Sequence, residues 1–334
     1  MARYSLHVLA LALLFVVANC AVLLTVSAPI AAEYWVRETL IVKRAAAARI
    51  AKPKLLLAGG SSTLFSIDTA AVEQATGRPA YNYAIHASMR LEWLLAEWRR
   101  AARSGDVVVM ILEPPFYDCG SQDWGSWQLR NALAWDRDYL NALPWPRRVN
   151  ALLTGGNITL PFEILRARAG APAALLPRRR AAMVAPAQVL QRYAHAAPST
   201  QFEYSPGNLN AHGDMQHTIG LHYKGPPADV TLPGKLCAAV GAELGDFVGD
   251  MRRRDVRVFF DYAPYLVDGK PKQWRSADAA FINGMRGYGL TMLSHRDEQF
   301  FPRNQFFDTD LHLNATGRKI RTAHLIAHLA AAGL

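Results

Sequence analysis

The chain has few cysteines, and none stands in a metal-binding spacing. Three occur among 334 residues, at positions 20, 119 and 237, and there is no C-x-x-C pair. The sequence therefore gives no support for a zinc ribbon or a thioredoxin-like site. Cys20 lies in an apolar run, which leaves Cys119 and Cys237 as the pair available to the globular part. A disulfide between them would suit an oxidising compartment, and two unpaired core thiols are the alternative.

Nucleotide-binding signatures are also missing. Neither the G-x-G-x-x-G pattern nor the P-loop pattern occurs, so a nucleotide-dependent enzyme would lack its phosphate cradle. We therefore predict no cofactor and no metal. Apolar residues make up 51% of the chain, enough to bury one large core or two small ones, which excludes general disorder.

Residues 6–26 form an apolar run interrupted by four residues, His7, Asn19, Cys20 and Thr25. At about 1.5 Å per residue the run spans the roughly 30 Å core of a bilayer. It exceeds the roughly 7–15 residues of a signal-peptide core, although alanines follow it and a cleaved signal peptide is the alternative. We predict a transmembrane signal anchor over residues 1–31. The protein would then be a single-pass inner-membrane protein with its globular domain in the periplasm or another extracytoplasmic space.

Basic charge is concentrated in one region. Residues 144–192 contain eight arginines, no lysine and one acidic residue, Glu163, in a chain with 37 Lys and Arg against 27 Asp and Glu. Leucines beside the arginines suit a surface held against anionic membrane lipid or a membrane partner. A solvated basic face is the alternative. Nucleic acid is not the partner that we expect for an exported chain.

Short apolar segments alternate with helical patterns along the rest of the chain. Strands are predicted near residues 54–58, 80–85, 107–112, 256–262 and 290–294. This alternation predicts an α/β domain with a doubly wound parallel sheet of about five strands, similar to flavodoxin. A helical linker over 32–53 would precede the domain at 54–334, which would carry an irregular helical insertion at about 120–232.

Two motifs carry candidate chemistry. Residues 55–63, LLLAGGSST, predict a strand that turns sharply at Gly60 into Ser61 and Ser62. Ligands bind at the carboxyl ends of strands in such sheets, so this turn could hold a nucleophilic serine. Residues 306–318, FFDTDLHLNATGR, place His312 near two aspartates. A serine nucleophile needs a histidine to take its proton and a carboxylate to orient that histidine.

This order of motifs resembles the SGNH (GDSL-like) hydrolase superfamily, in particular the membrane-anchored acyltransferase branch that includes DltD and the alginate acetylation proteins. The third position of the family's serine turn falls on Ser62, and the resemblance implies His312 as the base. The family usually places its aspartate three residues before the histidine, a position that is Thr309 here. We favour Asp308 as the third member of the triad, with Asp310 as the alternative.

The resemblance also implies an oxyanion hole. The family uses a glycine and an asparagine from two further segments. Here Ala84 stands where the glycine is expected, and the third strand ends in LEPP with Glu113 and no asparagine. Candidate donors are the N–H groups of Ser62 and Ala84 and the side chain of Asn82. The remaining candidates for contact with substrate or oxyanion are Gly60, Ser61 and Glu113.

The resemblance implies a membrane-anchored O-acyltransferase or esterase that transfers or removes an acyl group on a cell-envelope polysaccharide or other polymer. A membrane-bound O-acyltransferase (MBOAT) partner is implied by the resemblance alone. Two alternatives remain open. One is a catalytically silent envelope protein that binds glycan or acts as a scaffold, and the other is a stand-alone envelope esterase or lipase.

Overall fold

The structure is a computed structural model, and it describes residues 2–26, 30–170, 184–194, 204–216, 218, 222–226, 235–267 and 274–334. Arginines 178, 179 and 180 of the basic region lie outside these residues. The chain divides into two compact units, Met1–Arg37 with Asp123–Ala185 and Glu38–Gln122 with Pro186–Leu334. Of the insertion predicted at about 120–232, residues 123–185 belong to the first unit and the remaining residues belong to the second unit.

The secondary structure alternates between helices and short strands in the second unit. In chain order the helices are α1 (Ala2–Thr25), α2 (Tyr34–Arg49), α3 (Ser61–Ser66), α4 (Thr69–Thr76), α5 (Leu91–Ala101), α6 (Ser126–Trp135), α7 (Arg137–Ala142), α8 (Trp145–Gly155), α9 (Thr159–Arg168), α10 (Pro186–Ala194), α11 (Ala238–Arg253), α12 (Trp274–Gly287) and α13 (Ala315–Ala331). The strands are β1 (Leu55–Gly59), β2 (Ala80–Asn82), β3 (Val107–Leu112), β4 (Arg257–Tyr262), β5 (Tyr265–Leu266) and β6 (Phe300–Phe301).

The first unit is helical. Its segment Tyr4–Thr25 has a mean hydropathy of 2.7 and is long and apolar enough to cross a membrane. Near the end of α1, Leu23 and Ile30 join Leu129 of α6 and Leu160 and Ile164 of α9 in one buried apolar cluster. The helices after Asp123 therefore pack around the carboxyl end of the apolar helix.

A parallel sheet of four strands, in the order β2-β1-β3-β4, forms the centre of the second unit. Every residue of β1 and β3 is buried, as expected for continuous apolar strands in a parallel sheet. Because β1 connects to β2 on one side and pairs with β3 on the other, the strand order reverses between β1 and β3. The carboxyl ends of these two strands are where an open α/β sheet binds its ligand.

The expected fifth strand is reduced to a single bridge. Residues 290–294 pair with the sheet through the parallel bridge between Phe260 and Met292, with two backbone hydrogen bonds of 2.8 Å. Gly289 has a φ of 71° just before this segment, and the chain bends at Ser294, the last residue of the segment. The chain is therefore turned away at both ends before a full strand can form. The architecture is α/β, and its main sheet has four paired strands rather than about five, while β5 and β6 form a separate two-stranded sheet.

One disulfide links two segments of the second unit. Cys119 and Cys237 are bonded, with their Cα atoms 5.2 Å apart, and Cys20 is a free thiol. The Tyr117 carbonyl also accepts a hydrogen bond from the Cys237 N–H at 3.0 Å. Of the two alternatives left by the sequence, the structure therefore has the disulfide and not two unpaired core thiols.

Candidate active site

Ser62 is the second residue of α3 and directly follows the turn from β1, where two glycines allow a close approach to β3. A Cβ on Gly59 would lie 2.3 Å from the carbonyl oxygen of Ile111. A Cβ on Gly60 would lie 2.5 Å from both carboxyl oxygens of Glu113. The G-G-S-S sequence is therefore needed for space, because a side chain at either glycine would separate the serine from the end of β3.

Glu113, the first residue after β3, accepts a hydrogen bond from the backbone of Ser62. Its Oε1 is 2.8 Å from the Ser62 nitrogen, and the side chain is buried. Its Oε2 has no hydrogen-bond partner within the described part of the chain. Burial raises the pKa of Glu113, and this effect outweighs the hydrogen bond from the Ser62 N–H and the charge of His312, which act to lower it. A buried carboxyl thus sits directly on the backbone of the candidate nucleophile.

The hydroxyl of Ser62 is fully buried and has no partner in hydrogen-bond geometry among the described residues. It is therefore not hydrogen-bonded to His312 in this structure. Catalytic hydrogen bonds are often long or poorly aligned without substrate and shorten when the substrate binds. Ser61, the neighbouring serine, is the more exposed of the two, at 8%.

A tight loop before α13 places His312 beside Asp308. Phe306 and Leu313 form an antiparallel bridge, and the Phe307 N–H donates to the His312 carbonyl at 2.8 Å. The loop between these residues closes on itself, so two side chains four positions apart face each other. A local turn, rather than a long-range contact, thus forms the acid-histidine pair.

Within this pair, His312 Nδ1 is 2.8 Å from Asp308 Oδ1. The hydroxyl of Tyr204 donates to the other carboxyl oxygen of Asp308. Burial acts to raise the pKa of Asp308, but the hydrogen bonds from His312 and Tyr204 outweigh it and hold this pKa below its ordinary value. In the described residues, Asp310 makes no hydrogen bond or ion pair with His312. The structure thus pairs His312 with Asp308, the favoured acid of the two.

Asn314 and Gly317, which follow His312 in the 306–318 motif, have a structural role. The side chain of Asn314 caps α13 by accepting hydrogen bonds from the N–H groups of Thr316 and Gly317. A Cβ on Gly317 would lie 2.7 Å from the carbonyl oxygen of Gln305. The H-L-N-x-x-G spacing therefore places the N-cap of the last helix two residues after the histidine.

The two motifs meet through Phe65 of α3. The His312 ring stacks on the Phe65 ring with centroids 4.3 Å apart and planes inclined by 17°. Phe65 follows Ser62 by three residues in the same short helix, so this helix carries both the candidate nucleophile and the surface that supports the candidate base. The structure brings together Ser62, Glu113, His312 and Asp308, which are separated by up to 250 positions in the sequence.

His86, which follows β2 and lies in the same region, is not among the site residues predicted from the sequence. A Cβ on Gly60 would lie 2.7 Å from Cα of Ala87, so this loop borders the serine turn. His86 Nδ1 accepts a hydrogen bond from the Ser88 N–H at 3.0 Å. Burial, assisted by the neighbouring His312, lowers the pKa of His86 to about 4. The available signal was its place at the carboxyl end of a predicted strand, like Ser62 and Glu113.

Two predicted oxyanion donors are used elsewhere. The side-chain amide of Asn82 donates to the Thr63 carbonyl at 3.0 Å and to Asp214 at 2.9 Å. Its carbonyl oxygen accepts the Ala84 N–H at 3.1 Å. Both the Asn82 amide and the Ala84 N–H therefore hold the loop after β2 in place, and neither is available to a substrate in this structure.

The described residues contain no group of three or more His, Cys, Asp or Glu side chains placed to hold a metal ion. Comparison of the chain with models of known protein families, with curated proteins and with solved structures found no match in any of the three. The geometry of the site and the two sequence motifs are therefore the basis for assigning a function.

Proposed function

We propose that the chain is a membrane-anchored serine O-acyltransferase or esterase of the SGNH type. Ser62 is the nucleophile, His312 the general base and Asp308 the residue that orients the base. The observation that carries the proposal is the His312–Asp308 pair, whose ring stacks on the helix that bears Ser62. Serine, histidine and carboxylate in this arrangement form the set that acyl transfer requires.

The residues would act in two steps. Ser62 Oγ bonds to the acyl carbonyl carbon while its proton passes to His312 Nε2, and Asp308 stabilises the imidazolium through Nδ1. The bond from the acyl carbon to the donor oxygen then breaks, and the leaving oxygen takes the proton. In the second step a polymer hydroxyl attacks the acyl-serine, giving its proton to His312, and Ser62 leaves with that proton. Water in place of the polymer hydroxyl would make the same site an esterase.

The acceptor in this proposal is a cell-envelope polysaccharide or related polymer, and the acyl donor is supplied by a membrane-bound O-acyltransferase. Both proposals come from the family resemblance. The globular part is proposed to lie on the periplasmic or other extracytoplasmic side of the inner membrane. The Cys119–Cys237 disulfide supports an oxidising compartment.

The experiment is labelling of the full chain with a fluorophosphonate probe, followed by measurement of polymer acylation in cells. We expect Ser62→Ala and His312→Ala each to abolish both signals without unfolding the protein, whereas the matched control Ser61→Ala retains them. Members of one catalytic unit are strongly non-additive, so the Ser62/His312 double variant should resemble either single variant. Full acylation by Ser62→Ala would refute the assignment of the nucleophile.

A catalytically silent scaffold is the second candidate. It is favoured by the commitment of the Asn82, Ala84 and Ser62 donors to partners inside the protein. A scaffold predicts that cells need the whole protein for polymer acylation but tolerate Ser62→Ala. The third candidate, a stand-alone esterase or lipase, predicts rapid turnover of short-chain nitrophenyl esters by the purified full chain in the absence of a partner.

A further inference from the structure

The three donors expected in the oxyanion hole already make hydrogen bonds within the protein, and the acceptor for one of them is the carboxyl group of Glu113. The Ser62 N–H is hydrogen-bonded to Glu113 Oε1, and the Ala84 and Asn82 groups are bonded around the loop after β2. The oxygen left over at this place is Glu113 Oε2, which is buried and has no partner among the described residues. An acyl oxygen at Ser62 would thus meet the carboxyl of Glu113.

The surroundings of Glu113 do not favour a negative charge. The titratable groups facing it are His312 of the loop before α13, Tyr117 of the turn after β3, and Tyr265 of β5. No lysine or arginine of the described chain forms an ion pair with it. A buried carboxyl without a cation is stabilised in its neutral form, because an isolated charge is expensive to remove from water. The raised pKa of Glu113 agrees with these surroundings.

We propose that Glu113 works as a neutral carboxylic acid whose Oε2–H donates a hydrogen bond to the oxyanion formed at Ser62. This inference rests on the proposed acyl transfer. The carbonyl oxygen Oε1 already accepts the Ser62 N–H, so the proton belongs on Oε2, the oxygen without a partner. No bond to Glu113 forms or breaks, and the proton stays on Oε2 when the intermediate collapses. An ionised Glu113 would instead repel the developing oxyanion.

Glutamine reproduces the neutral acid, because its oxygen accepts and its amide nitrogen donates at the same two positions. We expect Glu113→Gln to retain polymer acylation within about tenfold of the natural chain. Glu113→Ala should lose roughly 10²- to 10³-fold, the usual effect of removing one oxyanion donor. In the natural chain acylation should fall as pH rises through the pKa of Glu113, and Glu113→Gln should lack this alkaline decline. A Glu113→Gln variant as inactive as Glu113→Ala would overturn the proposal, since an ionised glutamate would then be required.

Protonation is measured independently of activity by isotope-edited infrared difference spectra of the full chain against Glu113→Gln. The proposal expects the carbonyl band of a protonated carboxylic acid at neutral pH, and a carboxylate band alone would overturn it. If Ser62→Ala keeps full acylation while the acid band is present, the proposed nucleophile fails and the protonation of Glu113 stands. The two failures are therefore distinguishable.

The pH dependence of folding stability tests the protonation of Glu113 in a second way. A raised carboxyl pKa means that the folded protein holds its proton at a pH where the unfolded chain has lost it, so stability falls as pH rises from the unfolded pKa through the folded one. Glu113→Gln should therefore be more stable than the natural chain at neutral pH, with the difference vanishing at acid pH. Glu97→Gln is the matched control. Glu97 is buried but paired with Arg44 and Arg100, so its replacement should destabilise the protein at neutral pH.

A separate observation in the first unit concerns the membrane. At about 1.5 Å per residue the Tyr4–Thr25 span is about 33 Å long, so its carboxyl end lies at the edge of a roughly 30 Å bilayer core. Arg137 caps this end by donating to the carbonyls of Leu23, Leu24 and Val26 at 3.2, 2.8 and 2.7 Å. The helices after Asp123 pack against the same end of α1, which would place them at the depth of the lipid headgroups when α1 spans a bilayer.

These helices leave large apolar side chains exposed. The apolar rim consists of Trp145, Leu153, Ile158, Phe162 and Leu165, each at least 45% exposed. The same helices carry exposed arginines at positions 147, 166 and 168. Apolar groups beside basic groups fit the boundary between acyl chains and anionic headgroups. From this, together with the end of α1, we infer that the apolar rim lies in the bilayer surface around the anchor.

The test uses the full chain with Cys20→Ser, reconstituted in liposomes that contain anionic lipid. An environment-sensitive fluorophore is attached through Leu153→Cys or Phe162→Cys, and shallow spin-labelled lipids serve as quenchers. The matched control is Thr154→Cys, since Thr154 is exposed and projects about 100° around α8 from Leu153. We expect blue-shifted, lipid-quenched emission at the first two positions and aqueous emission at Thr154. Aqueous emission at all three, or protection without lipid quenching as a protein partner would give, would overturn the inference.

Discussion

Two buried carboxyl groups lie at opposite ends of the adjacent strands β1 and β3, and they differ in their hydrogen-bond and ion-pair partners. At the amino ends of β1 and β3, Asp106 accepts hydrogen bonds from the Lys54 ammonium at 2.7 Å and from the backbone of Lys54 and Arg103, both at 2.8 Å. At the carboxyl ends, the only hydrogen-bond donor to Glu113 from the described part of the chain is the Ser62 N–H, and no described cation pairs with it. The charge of Asp106 is balanced by a cation and by backbone donors, whereas Glu113 is balanced by neither a cation nor a second donor among the described residues. This contrast supports our proposal that the site lies at the carboxyl ends of the two strands.

Asp106→Asn should give the largest loss of stability. The change leaves the buried Lys54 ammonium without its partner, and breaking such a pair typically costs about 3–5 kcal/mol. Urea unfolding of the full chain in detergent measures the effect. Replacing both members with apolar residues of similar volume is the control and should recover much of the loss. An Asp106→Asn variant as stable as the natural chain would mean that the two ends do not differ as described.

Removal of the disulfide is expected to have the next largest effect. Cys119 follows Glu113 by six residues and is joined to Cys237, 118 positions away. Replacing both cysteines with serine should lower the free energy of unfolding by about 2–4 kcal/mol, because the unfolded chain is no longer cross-linked. Cys20→Ser is the matched control and should leave that free energy unchanged. Equal losses in the two variants would contradict the pairing.

Asp308→Asn should change the dependence of stability on pH. The pKa of Asp308 is lowered in the folded protein, so its stabilising contribution is present above the unfolded pKa and is lost as pH falls through the folded one. The variant should be less stable than the natural chain at neutral pH and equal to it at strongly acid pH. Thermal unfolding across pH measures this. Asp310→Asn is the control, and an effect of equal size there would undo the assignment of Asp308.

Ser62→Ala should have the smallest effect on stability, and its sign is informative. The Ser62 hydroxyl is buried and unpartnered, so its removal should leave the protein unchanged or more stable by up to about 1 kcal/mol. The neighbouring Thr63 hydroxyl donates to the Ile111 carbonyl at 2.9 Å, so Thr63→Val should instead destabilise by about 1 kcal/mol. Chemical denaturation of both variants makes the comparison. A Ser62→Ala variant as destabilised as Thr63→Val would show that the serine is structural.

Much of the architecture could be predicted because it follows from local pattern. The continuous apolar runs predicted near 54–58 and 107–112 are the buried parallel strands β1 and β3. The fifth strand was predicted from its composition, but pairing also depends on the direction of the chain at both ends of a segment. The left-handed Gly289 and the bend at Ser294 limit this segment to one bridge. Local composition indicates that a segment can form a strand, but it does not determine how many of its residues pair with the neighbouring strand.

The sequence by itself determined the apolar helix, the strand order along the chain and the residue types of the candidate site, because these depend on periodicity and on short motifs. Only the tertiary structure decided which groups meet. It paired His312 with Asp308 rather than Asp310, joined Cys119 to Cys237, and committed Asn82 and Ala84 to each other. It also placed Glu113 on the backbone of Ser62, 51 positions away. Hydrogen bonds form between groups that are close in space, and closeness between distant segments is set by the packing of the sheet.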